Sequence, residues 1–254
     1  MAKHIQSIER AAEVLKLLAK GSRPYSLAEI ANNLDLPKPT AIGILRTLQS
    51  ADFIDQDPET SRYGLGPAVL HVGARYLDGN ELRTKALNWS DSLATRSGES
   101  VRIATPHHDQ ALVVHHVFRP DDSHQTLTVG ELLPLNATAI GKVLLAYGGT
   151  PVEEIVEEFA EYTPQTVADR SALADEGKRI RAQGWAEEIE EYVVGETSIA
   201  APIRDRQGIV IGAIAITGAI ERTCENGQSR MDLVSYVRDA ARAISRELGC
   251  SPHI

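Results

Sequence analysis

The stretch SLAEIANNLDLPKPTAIGILRTLQS, residues 26–50, decides the architecture of the N-terminal part of the chain. Ser26 followed three residues later by Glu29 is the pattern of a capping box, so a short helix begins there with Leu27, Ile30, Ala31 and Leu34 on its apolar face. Asp35, Leu36 and Pro37 read as a tight turn. A further helix opens over 37–40, where proline is tolerated in the first turn, and Ala41, Ile44, Leu45 and Leu48 recur at helical spacing as its buried face. Two helices joined by a turn of about four residues make a helix-turn-helix, which inserts the end of its second helix into a major groove.

Working outward, Ser7 reads as the cap of a preceding helix with Ile8, Ala11, Ala12, Leu15 and Leu18 on one face. Gly21 stops it and Pro24 prevents its resumption. Downstream, residues 53–56 and 62–65 flank the turn Asp57-Pro58-Glu59-Thr60 and read as a hairpin. Three helices and a hairpin form a winged helix-turn-helix. The groove-facing candidates are Lys38, Thr40, Ile42 and Gly43, with Arg46 one turn on and Arg62 in the wing for a phosphate or minor-groove contact. A small helical domain for protein contact is the competing reading of the helix pair, and the wing argues against it.

Beyond Gly66-Pro67 a connecting helix is expected over 68–77, and Asp78-Gly79-Asn80 breaks it. A long amphipathic helix follows over 81–95. Strands are expected at 100–105, 111–118, 126–131, 198–204 and 210–217, and helices at 140–146, 152–159, 171–183 and 229–248. Strands in adjacent pairs with flanking helices describe an α+β domain with an antiparallel or mixed sheet. The division is a winged helix-turn-helix over 1–66, a linker helix over 67–80 and an effector-binding and oligomerisation domain over 81–254.

Charge follows this division. The chain has 254 residues and a net charge of −9. Residues 1–65 contain eight basic and eight acidic side chains, so the acidity lies entirely in the remainder. Residues 36–51 carry Lys38 and Arg46 and no acid, as a groove-entering helix should. Two cysteines, Cys224 and Cys250, suggest neither a disulfide framework nor a thiolate metal site, which suits a reducing cytoplasm. Charged residues interrupt the N-terminal apolar residues, so no signal peptide is read there, and no apolar run reaches the ~20 residues of a membrane span.

His107, His108, His115, His116 and His124 cluster in sequence, but adjacent strand residues such as His115 and His116 point to opposite faces and cannot chelate together. A zinc site would require His116 and Glu188 to converge. The acid runs Glu153-Glu154, Glu157-Glu158, Glu187-Glu188 and Glu190-Glu191 read as solvated faces rather than paired-carboxylate catalysts. No nucleophile elbow, metalloprotease or Cys-x-x-Cys motif occurs, so no enzyme and no cofactor is expected. The alternative is a metabolite-binding or enzymatic domain with an accessory helical module.

Taken together, Ser7-Ile8-Glu9-Arg10-Ala11, Leu36-Pro37-Lys38-Pro39-Thr40, Gln56-Asp57-Pro58-Glu59-Thr60 and Tyr63-Gly64-Leu65-Gly66-Pro67 resemble the IclR family of transcription regulators. Leu135-Asn136-Ala137-Thr138-Ala139-Ile140-Gly141-Lys142 resembles that family's His-x-Thr-Ala-x-Gly-Lys segment, and 195–202 with 212–218 its late strand pair. Within the family, 114–122 and 43–49 resemble the actinobacterial glycerol-operon regulators. The resemblance implies a GAF- or profilin-like effector domain, a homodimer or dimer of dimers (a homotetramer), and a palindromic double-stranded operator. It also implies a small-molecule effector held by Thr138, Ala139, Ile140 and Gly141 at a helix N-terminus, facing Glu188, Ser198, Ala215 and Thr217. Ordinary capping and strand roles are the bland reading of each of these residues taken singly. The family often has Ser at Pro39 and Arg at Gly43, so base contacts do not carry over. It commonly has Asp at Glu188, Cys at Ser198 and Ser at Ala215. Retaining an acid at Glu188 favours a hydroxylated effector such as glycerol over a plain anion, with glycerol 3-phosphate the other candidate.

Overall fold

The computed structural model describes residues 4–21, 23–149, 152 and 158–251. Contacts divide the chain into two compact units, Met1–Gly79 and Asn80–Ile254.

The first unit holds α1 (Gln6–Lys20), α2 (Leu27–Asn33) and α3 (Lys38–Ser50), the strands β1 (Ile54–Gln56) and β2 (Tyr63–Leu65), and α4 (Pro67–Asp78). Gly21 ends α1, as expected, but Ser7 is not its cap. Ile5 occupies that position and its carbonyl accepts from the amides of Ile8 and Glu9, so the hydrogen-bond ladder starts before Ser7. At α2 both halves of the capping box are present: the Glu29 amide donates to Ser26 Oγ at 3.3 Å and the Ser26 amide to Glu29 Oε2 at 2.7 Å. Val14, Leu18, Ile30, Leu45, Leu48 and Ile54 form one buried core. The first three helices and the first wing strand thus contribute to the same apolar centre. The wing pairs antiparallel, Ile54 opposite Leu65 and Gln56 opposite Tyr63.

The second unit is an antiparallel six-stranded sheet in the order β5-β4-β3-β8-β7-β6. Its strands are β3 (Ser100–His107), β4 (Gln110–Val117), β5 (Leu132–Pro134), β6 (Ala186–Ile189), β7 (Glu196–Arg204) and β8 (Val210–Ala219). Side-chain alternation sorts residue size between the two faces. Ala104, Ala200, Ala213 and Ala215 form the small-residue face that packs under α6 (Ala139–Tyr147), with α7 (Arg170–Gln183) beside it. The alternate positions, including Ile199, Ile203, Ile214 and Ile216, are fully buried, and α5 (Glu81–Ser97) and α9 (Met231–Glu247) pack against β3, β7 and β8. Close approach of α6 depends on Gly141, since a Cβ there would stand 2.2 Å from the Pro134 carbonyl oxygen and 2.6 Å from Leu135 Cα.

Two expectations change. No strand forms over 126–131. Thr128 to Glu131 close a turn through Gly130, which takes φ +90°, and pairing along β4 resumes as the short β5. The final helix, expected from 229, starts only at Met231: a single-turn α8 (Ile220–Thr223) and a two-residue hairpin for which no strand was expected, β9 (Cys224–Glu225) with β10 (Gln228–Ser229), precede it, and Ser229 belongs to β10. The helix expected over 152–159, with Glu153, Glu154 and Glu157, lies largely outside the described residues.

Candidate nucleic-acid interface and effector pocket

On α3 the buried stripe is Ala41, Leu45 and Leu48. The helical repeat places Gly43 and Arg46 on the outermost stripe, opposite it, and both are exposed. Exposed Lys38 and half-buried Ile42 flank that stripe on one side, and half-buried Thr40 flanks it on the other. Thr40 and Gly43 also line a groove with Ser7, Ile8 and Ala11 of α1. Beyond the helix's own adjacent backbone, nothing lies within 4 Å of a Cβ built on Gly43, so glycine is not required there by the packing of the head itself.

Arg62 stands at the entrance of β2 and is half-buried. Its Nη1 donates to the Pro24 carbonyl at 3.0 Å and to Glu29 Oε2 at 2.9 Å. It therefore braces the wing against the loop before α2. Hydrogen bonds from Ser26 and Arg23 hold the Glu29 carboxyl down to about 2, well below the ordinary carboxylate range.

The second candidate site is a small, partly open cavity of about 20 Å3, room for roughly one water. Six of the eight expected residues line it: Thr138, Ile140, Glu188, Ser198, Ala215 and Thr217. Ala139 and Gly141 do not. They are buried in the first turn of α6, and the Gly141 amide is already taken by the Thr138 hydroxyl at 3.0 Å. Thr138 itself donates to the Pro134 carbonyl at 2.8 Å, so its hydroxyl serves as helix cap and strand tie while its side chain walls the cavity.

Glu188 and Ser198 sit directly opposite each other on β6 and β7. The Ser198 hydroxyl donates to Glu188 Oε1 at 2.9 Å and the Glu191 amide to Oε2 at 3.0 Å. Burial nonetheless pushes the Glu188 carboxyl up from its ordinary 4.5 to about 7, against the lowering effect of those two hydrogen bonds. Behind it, Lys142 is 2% exposed and is bound by Glu191 Oε1 at 2.5 Å and Glu176 Oε1 at 2.9 Å. Burial also raises the Glu191 carboxyl, opposed by Lys142.

Sequence reasoning missed four lining residues: Arg102, Leu133, Tyr192 and Glu196. Arg102 changes the chemistry most. It lies opposite Ala215 in the sheet register, and its Nε is buried without a hydrogen-bond partner. A cation with unused donor capacity beside a carboxyl that is half neutral at pH 7 makes the cavity hospitable to an anion-bearing polar ligand.

His116 is not part of the cavity wall. Its Nδ1 accepts the Thr128 amide at 3.2 Å, and burial, with Arg102 nearby, lowers its ring to about 4. Among the described residues no three metal-ligating side chains come together. Among them, too, no helix is long and apolar enough to cross a membrane.

A winged helix-turn-helix joined in sequence to a sheet domain with a small polar cavity is the layout of a DNA-binding transcription regulator. Residues 7–58 match the IclR helix-turn-helix domain and residues 74–246 the IclR C-terminal domain of bacterial transcriptional regulators. The chain belongs to the IclR family. It is 50% identical over 250 residues to the glycerol operon regulatory protein of Streptomyces coelicolor, covering 98% of each chain. It is 32% identical to the HTH-type transcriptional repressor AllR of Escherichia coli K12, covering 99% of this chain and 93% of that one. A crystal structure of an IclR regulator from Alicyclobacillus acidocaldarius superposes with a TM-score of 0.83 at 27% identity, covering 97% of this chain and 100% of that one.

Proposed function

We propose that this chain is a cytoplasmic regulator of a polyol-catabolic operon, binding a palindromic operator as a homodimer or dimer of dimers and releasing or tightening it when glycerol or glycerol 3-phosphate fills the pocket. The observation that carries this reading is the convergence of Thr138, Ile140, Glu188, Ser198, Ala215 and Thr217 on one polar cavity, in a chain half identical to a glycerol operon regulatory protein. Lys38, Thr40, Ile42, Gly43 and Arg46 form the operator-facing surface of α3, with Arg62 supporting the wing. Residues 1–66 are the DNA head, 67–80 the linker and 81–254 the effector and assembly domain. Support for self-association comes from α4, which has no buried residue and exposes Leu70, Val72 and Tyr76. Val72 and Tyr76, one turn apart, share an exposed apolar side of the helix that suits a second copy of the chain, with Leu70 exposed on another side.

In the pocket, hydroxyl groups of the ligand pair with Glu188 and Ser198, and Arg102 supplies a partner for a phosphate. The cavity must widen beyond its present volume to admit either ligand. Binding therefore selects a more open arrangement, and its effect on DNA equals its difference in affinity between the two arrangements. The test is binding of the purified chain to its own upstream DNA, titrated with salt and then with each ligand. Selective, salt-sensitive binding altered by one of them supports the proposal. Selective binding indifferent to both retains the regulator and removes the polyol effector.

A further inference from the structure

A second cavity in the sheet unit, of about 350 Å3, is ringed by Arg204, Arg238, Arg242 and Arg246. It shares no wall residue with the Glu188 cavity. Three of the arginines recur every fourth residue along α9 and so project from one face of that helix. Like charges at this spacing oppose helix formation. Among the described residues only one carboxylate lies within 4.0 Å of any of the four, Asp239 at 4.0 Å from Arg242. Macrodipole compensation at the end of α9 accounts for Arg246. It does not account for half-buried Arg238 in mid-helix, nor for Arg204, which belongs to a strand.

Arg204 is held in place. Its guanidinium lies 4.7 Å from the centroid of the Tyr147 ring, its Nη1 donates to the Gly208 carbonyl at 2.8 Å, and its backbone amide donates to Ser245 Oγ at 2.9 Å. Ala201, Pro202 and Ala241 give the cavity apolar wall. A fixed guanidinium, three more around the same concavity and a volume within the range of small-molecule sites form a receptor for a compact polyanion. A duplex would instead call for a basic ridge following a phosphate backbone.

We propose that this cavity is an anion site, independent of the effector pocket, that takes a small ligand bearing two or more phosphate groups, such as a pyrophosphate or nucleoside diphosphate moiety. The proposal does not depend on the identity of the effector. The test is calorimetric titration of the full chain with pyrophosphate and with ADP, using sulfate as the single-anion control. One saturable site per chain is expected, tighter for pyrophosphate than for sulfate. The Arg238→Gln/Arg242→Gln pair should weaken it by about tenfold or more, because two charge-assisted contacts are lost. The Arg238→Lys/Arg242→Lys pair keeps charge and fold but not the two-pronged geometry, and should give an intermediate loss. Glu188→Gln should leave the affinity unchanged. Melting curves establish that each variant is folded. No saturable binding by about 5 mM, or unchanged affinity in the folded glutamine and lysine pairs, overturns the proposal. So does a short duplex that binds through these arginines without competition from pyrophosphate.

Discussion

Glu188 and Ser198 face each other across the β6–β7 pair and are joined at 2.9 Å inside the smaller of the two cavities described above. The strand register alone brings the two together, and burial then sets their chemistry. A carboxyl that would ordinarily titrate near 4.5 is carried to about 7, so near neutral pH the cavity holds a mixture of neutral and charged acid.

Stability should therefore decline with rising pH because of this residue. The folded carboxyl binds its proton more tightly than the unfolded one, so between about pH 4.5 and 7 the native state holds more protons. The contribution is complete below 4.5 and is lost as pH rises through 7. The full swing is about 3 kcal/mol in order of magnitude. Glu188→Gln has no charge to bury, so its unfolding midpoint relative to the parent should rise on going from pH 5 to pH 8. A parallel pH dependence in the two proteins would show that Glu188 does not titrate in this way.

Lys142 is the counter-charge of a buried acidic cluster and is sealed off from solvent. Lys142→Met preserves the length of the stem but leaves Glu176 and Glu191 without their cation. A loss of roughly 3–5 kcal/mol is expected, the ordinary cost of breaking a buried pair. Adding Glu191→Gln should recover part of it. Chemical denaturation of the two variants checks both points; a single variant as stable as the parent would mean the carboxyls simply take up protons.

Arg46 is exposed on the outermost stripe of α3. If it contacts an operator phosphate, Arg46→Gln should weaken binding to all sequences alike and reduce the slope of log affinity against log salt by about one. A guanine contact instead costs ~1–3 kcal/mol for the operator alone. Anisotropy titrations with operator and scrambled duplex at several salt concentrations separate the two, and equal slopes and affinities would remove Arg46 from the interface.

The parts of this fold that were legible in sequence are those written in local chemistry. Ser26 and Glu29 announce α2 because the capping box is satisfied within four residues. Gly21 marks the end of α1 although it takes extended backbone there, φ −81°, and not the left-handed cap conformation. The segment 126–131 misled because Thr126, Thr128 and Val129 favour strands, whereas Gly130 turns the chain and the Thr128 amide is spent on His116. The hairpin around Asn226-Gly227 carried a readable turn signal in that dipeptide. Arg102 carried none. Its place in the Glu188 cavity comes from β3 pairing with β8, more than a hundred residues later, and no local pattern encodes that pairing. Most of the cavity was found through resemblance, and its cation was found only in the folded structure.

Gly43 separates what folding needs from what DNA binding needs. It lies in the interior of α3, where glycine costs up to ~1 kcal/mol relative to alanine, yet nothing beyond the helix's own adjacent backbone stands within 4 Å of the missing Cβ. Its carbonyl already accepts the Thr47 hydroxyl at 2.9 Å, a bond that alanine leaves intact. Gly43→Ala should therefore raise the stability of the DNA head by up to about 1 kcal/mol, measured by thermal unfolding. If glycine is kept so that the helix backbone can press against the groove, the same methyl should lower operator affinity. A more stable head with weaker operator binding places Gly43 against the DNA. A more stable head with unchanged affinity takes it out of the interface and leaves Lys38, Ile42 and Arg46 as the reading surface.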